Sequence, residues 1–252
     1  MATFGGSHLV RTHSDAVNIK LLRQWLAPRF ARVLKTDLFD EAVGGGLYPE
    51  LASRAETVVG VDISGIVVGA AVRRHPALVA EVASVLALPF APGSFDVVVS
   101  NSSLDHFESR TTLRASIADL ARVLRRGGEL VITLDNRTNP VIAARTSVLA
   151  TPLRRLGVVP YYVGVTCGAR GLVALLGQNG FEVVEVALIM HCPPQLAAHL
   201  AARRCDRVGE ARVGEVGAER RHLRRVLALE AMGRWPTRHV TGHFVAARAV
   251  RL

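Results

Sequence analysis

Residues 32–64 read RVLKTDLFDEAVGGGLYPELASRAETVVGVDIS. A run rich in apolar and β-branched side chains, Val33 to Phe39, ends at Asp40, and Glu41 follows it. Three glycines come next (Gly44, Gly45, Gly46), then an amphipathic stretch, then a second apolar run that ends at Asp62. Strand, glycine turn, helix, strand and acid in that order are the grammar of a nucleotide-binding βαβ unit. Glycines let a ligand lie against the backbone, and a helix N-terminus behind them offers free N–H groups. A pyrophosphate would be repelled by two acids set immediately before the turn. A ligand with an amino group and a ribose would be favoured there.

Outward from this unit, strands and helices alternate. Before it, residues 1–14 read as a loose arm, and 15–30 as a helix capped by Ser14 or Asp15, with Val17, Ile19, Leu22, Trp25 and Leu26 on one face. Strand one is expected over 32–39, a helix over 47–56, strand two over 57–62 and a helix over 64–75 begun by Ser64. Strands follow at 79–84 and 95–101, a helix at 110–126 ended by Gly127 and Gly128, and a fifth strand at 129–135. Beyond these the pattern predicts helices at 139–155 and 169–179, strand six at 181–190, two helices within 193–232 and a last strand at 239–250. Alternation of this kind builds a parallel sheet with helices on both faces. The expected fold is α/β: a three-layer, Rossmann-like, doubly wound sheet of seven strands, mostly parallel, with helical insertions. A single domain is expected over 1–252, its cofactor-binding core at 30–135 and its elaborations at 1–29, 136–168 and 191–238.

Five stretches resemble the class I S-adenosylmethionine-dependent methyltransferases, in particular their small-molecule branch. Asp40-Glu41-Ala42-Val43-Gly44-Gly45-Gly46 is similar to the family's acid-and-glycine motif, with Ala42 in place of the first glycine. The match gives Asp40 the acid's place, beside the methionine ammonium; a one-turn shift gives it to Asp37. Val59 to Ser64 resembles the second motif, and Asp62, 22 positions after Asp40, would bind the ribose hydroxyls, with Ile63 next to it. Ser84-Val85-Leu86-Ala87-Leu88-Pro89-Phe90 resembles the third, with Ser84 where the family has an acid for the adenine amino group. Pro92 to Asn101 resembles the fourth and places Asn101 at the cofactor. Leu104-Asp105-His106-Phe107 follows where relatives often carry Leu-His-His, which offers His106 as a general base. Leu124-Arg125-Arg126-Gly127-Gly128 resembles the fifth, with Arg126 for proline. The resemblance implies S-adenosylmethionine as cofactor, S-adenosylhomocysteine as its product, an antiparallel last strand, and methyl transfer to an O, N or C atom of a small molecule.

Composition narrows the partners. Half of the residues are hydrophobic and the formal charge is +10, carried almost wholly by arginine, since Lys20 and Lys35 are the only lysines. From Arg203 onward there are 12 arginines against five acids, a basic region that an RNA methyltransferase could use. No nucleic-acid motif accompanies it, so a small-molecule acceptor is the expectation and nucleic acid the rival. Another rival is a protein of the same fold that binds the cofactor for different chemistry. A nicotinamide-dependent dehydrogenase is disfavoured by the acids at the glycine turn. Apolar and arginine-rich insertions suit a hydrophobic or lipid-like acceptor and peripheral membrane contact; Tyr161, Tyr162, His191 and Trp235 are pocket candidates. No apolar run is long enough to span a bilayer, and the first 15 residues lack the order of a signal peptide, so a cytoplasmic enzyme is expected. Cys167, Cys192 and Cys205 suit neither a disulfide framework nor a zinc site, and no metal is expected.

Overall fold

The computed structural model describes residues 4–146, 164–192 and 223–252. Seven strands form one sheet: β1 (Phe30–Thr36), β2 (Ala55–Asp62), β3 (Val79–Val82), β4 (Phe95–Asn101), β5 (Leu124–Asp135), β6 (Phe181–Ile189) and β7 (Phe244–Arg251). Their order across the sheet is β3-β2-β1-β4-β5-β7-β6. The pairs among β1 to β5 are all parallel, and β7 runs antiparallel between β5 and β6. The doubly wound sheet expected from the alternation is therefore present, antiparallel last strand included.

The central strands are apolar on both sides because helices cover both faces. Val97, Val98, Val99, Leu130 and Ile132 are buried, and Leu34 lies in the same core. One face packs Leu113, Ile117 and Leu120 of α5 (Arg110–Val123), at the spacing of one helical stripe. The other face receives Val17, Leu21, Leu22 and Trp25 of α1 (Phe4–Trp25). Short helices α2 (Phe39–Val43) and α3 (Tyr48–Ala52) lie between β1 and β2, and α4 (Gly65–Arg74) follows β2 with Ser64 as its N-cap, Oγ accepting from the Val67 N–H. Later helices are α6 (Pro140–Arg145), α7 (Ala169–Gly177) and α8 (Arg238–Thr241).

Several expected boundaries are corrected. Residues 4–14 are helical rather than a loose arm, and Ser14 and Asp15 lie inside α1: no proline interrupts the stretch, so the helix extends from its packed half. Strand one ends at Thr36 instead of residue 39, because Asp37 turns the chain with a φ of 67°. The Gly127-Gly128 pair does not stop α5. The helix ends at Val123, and the pair lies within β5, at a register shift against β4. There Leu124 inserts its side chain into the core, Gly127 takes a φ of 71°, and a Cβ on Gly128 would stand 2.8 Å from the Arg125 carbonyl. The last strand starts at Phe244, since residues 238–241 form α8. The helix expected over 139–155 is observed as α6, its remainder and most of the helices expected within 193–232 lying outside the described residues; residues 223–228 are helical and pass into a 3₁₀ turn, Leu229–Arg234. Among the described residues no helix is long and apolar enough to cross a membrane.

Candidate active site

The parallel strands all end on one edge of the sheet, where open α/β sheets hold their ligands. That edge carries a row of carboxyl groups. Asp62 ends β2, Asp37 follows β1, Asp105 lies in the 3₁₀ turn Leu104–His106 after β4, and Asp135 ends β5. Each acts on its neighbour: burial raises the Asp37 carboxyl, and Asp62 adds to it; burial raises Asp105, and Asp37 adds to it; burial pushes Asp135 up to about 7, and Asp105 adds to it.

Asp62 is fixed by the backbone. Its Oδ2 accepts the Leu38 N–H at 3.0 Å and its Oδ1 the Ser64 N–H at 2.8 Å. A carboxylate keeps further lone pairs beyond these two bonds, free for hydroxyl donors. Ile63 beside it is 76% exposed, although it is large and apolar. Ser84 and Val85 stand half-buried after β3; the Ser84 Oγ accepts the Leu86 N–H at 3.2 Å, so it already has one partner in its own turn. Asn101 ends β4 half-buried, with its Oδ1 enclosed and without a donor.

The glycine turn is built differently from a phosphate loop. Glu41 is completely buried, and its Oε1 accepts the Leu47 and Tyr48 N–H groups at 2.8 and 3.2 Å. Those are the donors a phosphate would seek, and here a side chain of the same turn occupies them. The other Glu41 oxygen pairs with the Lys35 ammonium at 2.9 Å. Lys35 is itself buried at 2% exposure in β1, and burial would lower its pKa, but Glu41, Asp37 and Asp40 outweigh burial and move it upward. Gly46 has a φ of 56°, and a Cβ there would meet Glu41 Oε1 at 2.4 Å; Gly44 caps α2; Gly45 is exposed with open space in front of it. Glu41, expected at the cofactor, is thus a buried internal support for the turn. Asp40, expected to end strand one, lies in α2, half-buried, and it is Asp37 that ends the strand and faces Asp62. Asp15 of α1 approaches from above, its carboxyl pushed up to about 7 by burial and by Asp40 and Glu41.

His106 projects into solvent, its side chain 69% exposed, with Nε2 3.9 Å from Asp105 Oδ1. Asp105 Oδ2 accepts the Asp135 N–H at 3.0 Å, while Oδ1 is enclosed and has no hydrogen bond. His243 Nε2 stands 3.6 Å from Asp135 Oδ1; burial and the nearby Arg145 lower its pKa to about 4, so it is neutral. Lys35, Asp105, Asp135 and His243 were not singled out from the sequence. Asp105 had a signal, an acid where relatives carry the first histidine of Leu-His-His.

Other candidates lie elsewhere. His191 is buried and committed, Nδ1 to Thr241 Oγ1 and Nε2 to the Leu188 carbonyl, both at 2.9 Å, so it serves the β6 end and not a pocket. Trp235 is 61% exposed, and Tyr161, Tyr162 and Cys205 lie outside the described residues. Cys192 is buried, and Cys167 is half-buried with its thiol pushed up to about 11 by burial. Asp96 of the fourth motif works at the opposite edge, accepting the Ala31 and Arg32 N–H groups and pairing with Arg125 at 2.7 Å. A cleft of about 380 Å³ near Arg29 and Glu56 is also at that opposite edge. Among the described residues no group of three or more His, Cys, Asp or Glu could hold a metal ion.

Residues 39–132 match the family described as "Methyltransferase domain". No curated protein matches the sequence. Solved structures do match its shape. The (4+2)-cyclase SpnF superposes with a TM-score of 0.61 at 18% identity, over 94% of this chain and 81% of its own. The N-methyltransferase NodS from Bradyrhizobium japonicum WM9, bound to S-adenosylhomocysteine, gives 0.54 at 16% identity, over 96% and 86%. Geranyl diphosphate C-methyltransferase from Streptomyces coelicolor A3(2), bound to Mg2+, geranyl diphosphate and S-adenosylhomocysteine, gives 0.58 at 15% identity, over 94% and 77%. At such identities the likeness is one of fold, and the domain match over the carboxyl-edge loops adds the cofactor class. Residues 39–132 thus carry a methyltransferase-domain match, on a chain whose fold is the Rossmann-like one of these methyltransferase structures.

Proposed function

We propose that the protein transfers a methyl group from S-adenosylmethionine to a small-molecule acceptor. The observation that carries this reading is the Asp37–Asp62 pair at the ends of β1 and β2, beside an open Gly45 and a glycine turn after which the Leu47 and Tyr48 N–H groups are already taken by Glu41. Such a site rejects phosphate and accepts a ribose and an ammonium. Asp62 holds the ribose hydroxyls, fixed in place by Leu38 and Ser64. Asp37 receives the ammonium, with Asp40 and Asp15 adding negative charge around it. Ile63 covers one side of the base, and Ser84, Val85 and Asn101 supply its polar edge. Of the structures with this fold, NodS is named an N-methyltransferase, and the geranyl diphosphate C-methyltransferase is bound to geranyl diphosphate, a small substrate.

Bound there, the cofactor supplies an electrophilic methyl group. The work of the protein is to orient donor and acceptor for in-line displacement and to exclude water. His106, exposed beside the Asp105 turn, is the base available to an acceptor that arrives from solvent. Calorimetric titration tests the cofactor assignment. S-adenosylhomocysteine is expected to bind the wild type and to lose binding in Asp62→Ala; no binding to the wild type would overturn the assignment. His106→Ala is expected to bind the product normally and to turn over more slowly; an unchanged rate removes the base role.

The second reading is cofactor binding without methyl transfer, which the similarity to a cyclase keeps open. Release of S-adenosylhomocysteine during turnover separates the two. The RNA alternative predicts binding that weakens steeply with salt, and a shallow dependence would exclude it.

A further inference from the structure

A cleft of about 590 Å³ opens on the outer flank of the sheet, between α7, β6 and α8. Its floor is apolar: Val173 and Ala174 from α7, Val186 and Leu188 from β6. The buried stripe of α7 is Leu172 and Leu176, so the flank at 173 and 174 is turned from the core toward the cleft. Val173 and Val186 are each 41% exposed there. Open apolar side chains on a concave floor, in a volume within the ordinary range for small-molecule sites, mark a place for a ligand.

The walls are held in fixed positions. The His191 ring bonds both the Leu188 carbonyl and Thr241 Oγ1, which ties the end of β6 to α8. Asn136 Nδ2 and Thr138 Oγ1 both donate to the His239 carbonyl, which ties α8 to the loop after β5. The cleft is also separate from the cofactor edge. β6 is the last strand of the sheet, four places from β1, or about 19 Å by strand spacing alone.

Charge selects the ligand. Arg170 enters the cleft from α7, and Arg238 and His239 from α8. All three are exposed, and among the described residues neither guanidinium pairs with a carboxylate. The acids nearby are turned away or committed. Glu182 lies between Phe181 and Val183 of the core on the α7 side, and Glu185 alternates with Val186 and Leu188, so both fall on the opposite face of β6. Glu230 accepts the Met190 and His191 N–H groups. The site is therefore apolar below and positive at its rim. A cation is repelled there, and an alcohol answers the floor alone. A carboxylate matches the planar fork of a guanidinium with two parallel hydrogen bonds. We propose that this cleft binds a small apolar carboxylic acid as its anion, the hydrocarbon on the valine floor and the carboxylate at Arg170 and Arg238. The proposal does not rest on methyl transfer.

The test titrates octanoate, 1-octanol, octylamine and acetate into the full chain by calorimetry at pH 8, with and without S-adenosylhomocysteine. Octanoate is expected to bind once per chain, at least about tenfold more tightly than any of the other three, since acetate lacks the hydrocarbon and 1-octanol the charge. Arg170→Gln and Arg238→Gln are each expected to weaken octanoate by about fivefold or more, and Val173→Asp to abolish its binding, with S-adenosylhomocysteine affinity unchanged in all three. No octanoate binding, equal affinity for octanoate and 1-octanol, or unchanged octanoate affinity in either arginine variant would overturn the proposal. Competition between octanoate and S-adenosylhomocysteine would overturn it too, by moving the anion to the cofactor edge. If a variant fails to fold, the probe preference of the wild type decides. Octanoate binding without S-adenosylhomocysteine binding would keep this site and remove the cofactor assignment; the reverse result would remove this site alone.

Discussion

Lys35 and Glu41 show what one buried ion pair can do for a loop. The ammonium sits inside a parallel strand at 2% exposure and the carboxylate at none, 2.9 Å apart. Removing one partner of such a pair leaves an uncompensated buried charge, at a cost of about 3–5 kcal/mol. Lys35→Met is therefore expected to lower unfolding stability by that amount in urea titration. The same change should weaken S-adenosylhomocysteine binding, because Glu41 would lose its anchor and with it the N–H groups of Leu47 and Tyr48. Asp37→Asn should lower the affinity for S-adenosylhomocysteine more than Asp40→Asn does, since Asp37 alone of the two adjoins Asp62. From the residues, Asp40 had the better claim: it precedes the glycines and follows an apolar run. The left-handed backbone at Asp37, which ends the strand three residues earlier, is a conformational choice that no apolar pattern records.

The glycine turn is the element where shape and binding can be separated. Gly46 needs its left-handed φ and has a carboxylate oxygen 2.4 Å from where a Cβ would sit, while Gly45 has nothing within 4 Å. Gly46→Ala is expected to cost at least about 1–2 kcal/mol in stability, through backbone strain and displacement of Glu41. Gly45→Ala should leave stability within about 0.5 kcal/mol and still reduce cofactor affinity, if the ligand lies against that backbone. Unfolding and titration of both variants check the distinction. The turn itself was legible from three consecutive glycines between apolar runs. The boundary between α5 and β5 was not. Leu124 to Gly128 carries a helix-stop signature, and the pairing of Leu124 with Phe95 turns it into strand. That pairing depends on β4 lying alongside, a contact between residues 29 positions apart.

Across the whole molecule, the raised carboxyl groups impose a pH dependence. Burial pushes the Asp15 and Asp135 carboxyls up to about 7, well above the ordinary aspartate range, and Asp37, Asp40, Asp105 and Glu230 shift in the same direction. Between those limits the folded state binds more protons than the unfolded one, so stability falls as pH rises from about 4 to about 7. His243 opposes this: its pKa drops from 6.5 to about 4, so it contributes stability that grows with pH over that window. The acids outnumber it, and the urea midpoint is expected to be lower at pH 8 than at pH 5. Asp15→Asn should flatten the dependence and raise the midpoint at pH 8. A midpoint that climbs with pH would show that these carboxyl groups ionise freely.

Sequence by itself determined the doubly wound sheet and the glycine turn, because each depends on periodicity or on spacing within a few tens of residues, and the resemblance of five short motifs pointed to the cofactor class. Tertiary structure alone decided that Glu41 supports the turn from inside and that Asp37 stands beside Asp62. It also decided that Asp105, Asp135 and His243 meet at one end of the sheet. Those residues are up to 138 positions apart along the chain. They come together because β4, β5 and β7 are adjacent in the sheet, with β7 antiparallel so that its first residue lies where β4 and β5 end. Strand adjacency is settled by the packing of both sheet faces at once, and local pattern carries no record of it.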